Sequence, residues 1–532
     1  MTPDNWMRDT VLRRIERHIN NFRVAWMSLR VIASAPQPVQ QQPVLFFRAS
    51  SGIDDLSWNS AFQVLTAWGL RLRGIPVRFL VCNRGMSLCV LGTDRDTPNK
   101  KPPCNSCVYQ SKSIYLGQPK EWLAYQYDAS LDAKLSGISI HQMMDIEHEG
   151  VPLGKLVLPG LRWILRRHNL VDDEKTRSIY RKYILSANSI AHETRSALQR
   201  VKPACVVVFN GQFFPEATVK FVARQTGFKV YSHEVGLQPM TAFFTEGEST
   251  AYPIDIPADL GLDNAQNAKL DAYLEQRFKG NFTMGGVRFW QDIKDLDASL
   301  RNKLEQHEKV VPVFTNVIFD TSQPHANTLY SDMFEWLDDV LEAARQNPNT
   351  LFIIRAHPDE ARLRKSSLET VEQWVRQTGA TNLPNVVFIP PDQFISSYEL
   401  IGKSDFVLIY NSTIGLEATL LGAPVLCAGK ARFTQIPTVF FPDSKAEYLA
   451  KLQQFLHKGA DRVPDQYYQN ARKFLYYQLF KSSLPFSEYL DTGIRVTHAK
   501  MRAFNPNMLI KSVTIETIFK GLFEKGDFLL KD

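Results

Sequence analysis

The chain has 532 residues, more than one ordinary core accommodates, so two domains with additional helical segments are expected. Apolar residues make up 44% and charged residues 22%, the balance of a globular protein rather than a disordered or fibrous one. The formal net charge of +7 is modest for this length. It suits anionic small ligands or an anionic membrane surface. With no long Lys/Arg run, no helix-turn-helix spacing and no RNA-binding aromatic signature, it argues against nucleic acid as a partner. No apolar run approaches the roughly 18 residues a membrane-spanning helix needs. The N-terminus lacks the apolar core and small-residue cleavage site of a signal peptide, so the expected location is cytoplasmic.

In chain order, residues 6–32 read as one helix, with Trp6, Val11, Leu12, Ile15, Ile19, Phe22, Trp26 and Leu29 near helical spacing. Arg8, Arg13, Arg14, Arg17, Arg23 and Arg30 make much of the remainder basic. The favoured expectation is that the apolar stripe packs on its own protein. The alternative is an amphipathic anchor in peripheral contact with the inner face of the plasma membrane. Pro36-Gln37-Pro38-Val39-Gln40-Gln41-Gln42-Pro43 then reads as a linker. A strand over 44–47, a helix over 57–73 stopped by Gly74 and a strand over 75–81 form a strand-helix-strand unit, which implies a parallel sheet. Residues 120–200 are mostly helical in pattern. Strands resume at 205–209 and 228–232, separated by the loop Asn210-Gly211-Gln212 and a helix near 215–226.

A second copy of this architecture starts near 309, with strands at 310–314, 351–354, 386–389, 406–410 and 424–427 and helices between them. Short buried strands alternating with helices indicate a doubly wound sheet. The expected organisation is an N-terminal helix (1–35), an acceptor domain (43–290) with a helical insertion (about 120–200), a donor domain (305–465) and a helical tail (466–532). The boundary falls within 285–308. Two such α/β domains can face each other across a cleft, because ligands bind beyond the carboxyl ends of parallel strands.

The strongest chemical signal is Tyr410-Asn411-Ser412-Thr413-Ile414-Gly415-Leu416-Glu417-Ala418, which follows a strand and opens a helix. Ser412 or Thr413 can cap that helix, and its exposed N–H groups suit a phosphate. Gly415 would let a ligand approach the first turn, and Glu417 can accept hydrogen bonds from ribose hydroxyls. An ordinary capped helix has the same sequence features. The second signal is Arg355-Ala356-His357-Pro358-Asp359-Glu360 at another strand end. The planar fork of Arg355 suits phosphate, and His357 can donate to a phosphate oxygen or protonate a leaving group. The bland alternative has His357 capping a helix and Arg355 paired with Asp359 or Glu360.

Arg355-Ala-His357-Pro358, Ser404-Asp405, Ser412-Thr-Ile-Gly415-Leu-Glu417-Ala and Gly422-Ala-Pro424-Val, in that order, resemble the C-terminal half of the capsule polysaccharide biosynthesis proteins over about residues 310–440. Those proteins look like glycosyltransferases of the GT-B fold, related to the capsule Kdo transferases. Val208-Phe-Asn210-Gly211 and His233-Glu234-Val-Gly236 look like segments of surface-carbohydrate synthesis proteins, less specifically. The resemblance implies an α/β, GT-B-like chain of two Rossmann-like parallel-sheet domains facing a cleft. It also implies glycosyl transfer (EC 2.4 class) from a nucleotide-sugar to a glycan or lipid-linked glycan of a bacterial surface polysaccharide, of capsule or O-antigen type. The implied donor site is Arg355, His357, Asn411, Ser412, Thr413, Gly415 and Glu417, with the loop 390–393 near the base. Catalysis would need no metal or other cofactor.

An inverting transferase of this fold would need a base in the N-terminal domain facing the acceptor hydroxyl, for which Asp54, Asp55, His233 and Glu234 are candidates, Asp55 and Glu234 first. Asp54-Asp55 could instead cap the following helix. Cys82, Cys89, Cys104 and Cys107 cluster, and Cys104-Asn-Ser-Cys107 has metal-knuckle spacing. A structural zinc in a loop is weighed against free thiols. Cys205 and Cys427 read as core residues. Three other functions share the motifs: transfer of a polyol phosphate, epimerisation of a sugar nucleotide and a non-catalytic role in polysaccharide assembly.

Overall fold

The computed structural model describes residues 3–531 apart from 54, 251–252, 259–260, 280–295, 363–365, 494–496 and 525, with only the backbone of 3–10. Asp54, and the first part of the boundary expected at 285–308, lie outside the described residues. The first sheet contains β1 (Val44–Arg48), β2 (Val77–Cys82), β3 (Lys120–Leu123), β4 (Cys205–Phe209), β5 (Val230–Val235) and β6 (Thr241–Thr245). Its strands run in the order β6-β5-β4-β1-β2-β3. All pairs are parallel except β5–β6, which is antiparallel. Alternate side chains enter two cores. Val44 and Phe46 join the cluster beneath helix Trp58–Leu72, while Leu45 and Phe47 join the cluster beneath helices Glu174–Val201 and Phe214–Gln225. A sheet buried on both faces explains why its strands read as unbroken apolar runs.

The second sheet holds β7 (Lys309–Phe314), β8 (Thr350–Arg355), β9 (Val386–Ile389), β10 (Val407–Ile409) and β11 (Val425–Cys427). Its order is β11-β10-β7-β8-β9, entirely parallel. In both sheets the strand order reverses beside the first strand, at β1/β4 and at β7/β10. Crevices for ligands form at such points. The fold is thus α/β with two doubly wound sheets, a GT-B-like arrangement.

Several expectations are corrected. Helix Asn264–Phe278, expected in the first domain, buries Leu270 and Leu274 among β10 and β11 residues of the second. The tail is not purely helical. Helix Asp465–Tyr476 packs on the second sheet's side. The chain then crosses back: β12 (Leu484–Pro485) extends the first sheet through Leu484↔Ala242, and a β13 (Leu490–Thr492) and β14 (Ala499–Met501) hairpin follows. Helix Val513–Phe523 closes the first core. Helix Trp58–Leu72 is capped by Ser57, whose side chain accepts from Ser60 N, so Asp54-Asp55 is not its cap.

The N-terminal helix spans Pro3–Ser34. Its buried face is Asn20, Asn21, Val24, Met27, Ser28 and Val31. The stripe from Val11 to Leu29 that was expected to pack inward is exposed instead. Polar anchoring decides the roll. Asn20 donates to Asp55 Oδ1 (3.0 Å) and Ala499 O (2.8 Å) and accepts from Met501 N (2.8 Å), contacts that hydropathy does not register. Among the described residues no helix is long and apolar enough to cross a membrane.

Candidate functional site

At the β7/β10 crevice a cavity of about 100 Å³ is lined by Arg355, His357, Ser412, Thr413, Tyr398 and Glu417, among others. It opens towards a larger space of about 790 Å³ between the two sheets, which His357, Ser412, Thr413 and Glu417 also line. The two motif segments therefore meet. Arg355 ends β8, and burial alone pushes its guanidinium down to about 10. Among the described residues its Nη1 has no hydrogen-bond partner. It does not pair with Asp359, which lies 3.5 Å from Arg362 Nη1, nor with Glu360, whose carboxylate approaches Val371 N. A desolvated cation with no anion beside it is unfavourable unless a ligand supplies one.

His357 Nδ1 accepts from Asp359 N at 3.1 Å, so it caps the short helix Pro358–Ala361 and its proton sits on Nε2. Burial holds this imidazole below its ordinary value, partly offset by Asp359 and Asp320. A neutral ring presents Nε2–H as a donor. Thr413 precedes helix Ile414–Leu420 in αR geometry without a side-chain cap bond, which corrects the expected capping role. Gly415 is also reassigned. A Cβ there would collide with Ile409 Cδ1, so the glycine permits close helix-to-strand packing rather than ligand approach. Asp405, of the Ser404-Asp405 motif, accepts from Val310 N at 2.8 Å and joins the starts of β7 and β10. Residues 390–393 do not line the cavity; Phe394, Ile395, Ser397 and Tyr398 do.

Glu417 is almost fully buried. Arg277 Nη2 donates to its Oε1 at 2.6 Å and Tyr398 Oη to its Oε2 at 2.5 Å. Burial would lower the Arg277 guanidinium, but Glu417 and then Tyr273 and Tyr398 hold it above its usual value. Burial, then the Glu417 charge, pushes the Tyr398 phenol up. The sequence reading missed Arg277 because its helix lies more than a hundred residues away from Glu417.

The first sheet's edge does not supply the expected base. Asp55 is buried, with Oδ1 accepting from Leu56 N (2.7 Å) and Asn20 Nδ2 (3.0 Å), and it anchors the N-terminal helix. His233 is 0% exposed, and burial, then Arg48, pushes it down to about 3; it packs between Phe244 and Phe209. It cannot meet an acceptor. Glu234 accepts from Asn59 Nδ2 (2.9 Å), Val235 N (2.9 Å) and Asn210 Nδ2 (2.8 Å).

Glu248, just past β6, is the carboxylate from the first-sheet side that lines the large cleft. Asn210 (φ 54) and Gly211 (φ 83) form a tight left-handed turn after β4 that directs Gln212 towards it. Gln212 Nε2 donates to Glu248 Oε2 at 2.8 Å and lies 2.7 Å from His325 Nε2, which belongs to the second sheet's side. Lys220 Nζ ion-pairs with Glu248 Oε1. The Asn-Gly turn was legible in the sequence; the carboxylate it faces was not.

The four clustered cysteines line one apolar pocket, with Cys104 and Cys107 in helix Cys104–Ile114 rather than a loop. All are free thiols, and burial pushes Cys82 and Cys89 up to about 12. Among the described residues no group of three or more His, Cys, Asp or Glu is placed to hold a metal, and the four cysteines of the expected zinc set are partly buried free thiols.

Residues 271–437 match the model of the family described as capsule polysaccharide biosynthesis protein. The matched segment contains Arg277, Arg355, His357, Ser412, Thr413 and Glu417, so the cavity described above lies within it. Over 232 residues the chain is 29% identical to Protein FixF of Sinorhizobium fredii, covering 42% of this chain and 48% of that protein. The match thus spans about half the length of that relative. Among solved structures, the chain is similar to Thermosulfurimonas dismutans KpsC, beta Kdo 2,7 transferase (14% identity, TM-score 0.32, 60% of this chain and 89% of that one). It is also similar to UDP-GlcNAc 2-epimerase from Neisseria meningitidis bound to UDP-GlcNAc (18% identity, TM-score 0.25, 56% and 81%). The fold itself is read from the sheet order.

Proposed function

We propose that the chain is a glycosyltransferase of surface-polysaccharide assembly that holds a nucleotide-sugar in the β7/β10 crevice and an acceptor glycan on the first-sheet side of the cleft. The observation that carries this reading is Arg355, a buried guanidinium with an unpaired Nη1 that lines the cavity beside His357 and Ser412. A diphosphate supplies the missing anion. As the glycosyl bond breaks, negative charge grows on the leaving diphosphate, and Arg355 and the His357 Nε2–H stabilise it electrostatically. Glu417, fixed by Arg277 and Tyr398, keeps lone pairs for the ribose hydroxyls. Glu248 takes the acceptor proton. It replaces Asp55, His233 and Glu234 in that role because it lines the shared space and they do not. No metal enters this scheme.

The test is calorimetric titration of the full chain with a panel of nucleotides and nucleotide-sugars, followed by product analysis with and without a glycan acceptor. The reading predicts binding of one nucleotide class and donor turnover that requires acceptor. An epimerised sugar nucleotide formed without acceptor, or a transferred polyol phosphate, would contradict it.

A further inference from the structure

Seven large apolar side chains of the N-terminal helix (Val11, Leu12, Ile15, Ile19, Phe22, Trp26 and Leu29) are exposed, from 42% at Trp26 to 73% at Phe22. At 3.6 residues per turn they fall within an arc of roughly 100°, a stripe about 27 Å long. Isolated exposed apolar residues are ordinary, but a continuous stripe marks an interaction surface. The protein's own body does not cover it. The opposite face is committed, with Asn20 making three hydrogen bonds and Val24, Met27 and Val31 buried, and at its margin Arg23 and Arg30 donate to Met501 O and Phe504 O at 3.0 Å each.

Charge selects the occupant. Arg14 and His18 border the stripe on one side, Arg23 and Arg30 on the other. The hydrogen-bond acceptors of Arg17, Arg23 and Arg30 are uncharged, namely Gln110 Oε1 and two backbone carbonyls. From residue 11 onward the helix's sole acidic residue is Glu16, which ion-pairs with Lys500. A second copy laid on the stripe would bring arginine against arginine. An anionic lipid surface complements both the apolar arc and its basic borders, with Trp26, stacked under Arg30 at 4.7 Å, suited to the headgroup level. We propose that this helix lies in the interface plane of an anionic bilayer, with the stripe buried among the lipid chains and the arginines at the headgroups. The inference does not depend on the donor reading.

The experiment is flotation of the full chain with phosphatidylcholine vesicles and with vesicles containing phosphatidylglycerol. The wild type is expected to float with the anionic vesicles only. In the double variant Ile19→Asp, Phe22→Asp the bound fraction should fall by at least about tenfold, and Arg14→Glu should weaken binding several-fold. Circular dichroism melts of both variants should match the wild type, since the altered side chains are exposed. Undiminished flotation of the double variant would overturn the proposal. So would absence of flotation, including the case in which light scattering shows a stripe-dependent dimer.

Discussion

The two sheets share one strand order, yet their carboxyl edges are finished differently. At the β1/β4 edge the two carboxylates are satisfied internally: Asp55 by Asn20 and Leu56 N, and Glu234 by Asn59, Asn210 and Val235 N, while Arg48 at the end of β1 keeps a buried Nη1 without a hydrogen-bond partner among the described residues and stacks on Phe209. At the β7/β10 edge Arg355 is buried, no ion pair to it is formed among the described residues, and a cavity remains open. The topology provides a crevice in both places; what marks the second is that its buried guanidinium lines an open cavity together with His357, Ser412 and Thr413, whereas that of the first is covered by Phe209. The first sheet contributes to the shared cleft from β6 and the turn after β4, through Glu248 and Gln212.

The comparison can be sharpened by substitution, beginning with the largest effect. Glu248→Gln should slow acceptor-dependent transfer by roughly 10²- to 10⁴-fold with donor binding retained, read as kcat against the calorimetric Kd. If transfer is unaffected, Glu248 is not the base. Arg277→Met leaves the Glu417 charge buried without its partner. It should destabilise the fold by about 3–5 kcal/mol in urea titration, where a loss near zero would show the pair to be dispensable. Asp55→Ala removes the acceptor of one Asn20 N–H and of Leu56 N and should lower stability by about 1–3 kcal/mol while leaving nucleotide affinity unchanged. A change in affinity would place Asp55 in the site after all.

The smallest effect is in pH dependence. His233 is pushed down to about 3 and His168 to about 4, both first by burial, from an ordinary 6.5. Their folded values are depressed, so below pH 6.5 the unfolded chain takes up protons that the folded chain refuses. Stability is full above that value and falls as pH drops towards 4 and then 3. Each histidine contributes a slope of up to about 1.4 kcal/mol per pH unit. Glu216 and Glu360, raised by burial to about 7 and about 8, act oppositely as pH rises from the ordinary carboxylate value of 4.5. His233→Gln should flatten the acid slope between about pH 6 and pH 4. An unchanged slope would mean that His233 is not neutral in the fold.

Much of this was legible from residue order. The apolar runs at Val44–Arg48 and Lys309–Phe314 declare themselves because both faces of a parallel strand are buried. Strand β3 was missed because Lys120-Glu121 opens a short edge strand that carries little hydropathy signal. Arg355 and His357 could be placed because they follow a readable strand. Glu248 could not, since its position depends on a hairpin return and on a contact with the other sheet's His325 through Gln212. Asp55 looked like a base for the same reason that it is an anchor: it is a carboxylate in a strand-end loop, and only its partner Asn20 distinguishes the two roles. The N-terminal helix has apolar residues on both faces, and periodicity selected the richer one, which polar anchors turn outward.

The central claim, that the β7/β10 crevice is built around a missing anion, is tested most directly by Arg355→Met studied in two assays. The account predicts opposite signs: affinity for the nucleotide diphosphate falls by roughly 10- to 150-fold, the loss of a charge-assisted pair, while the unliganded protein's Tm stays level or rises because an uncompensated buried charge is gone. A fall in Tm with nucleotide affinity intact would contradict it, and would make Arg355 a structural residue.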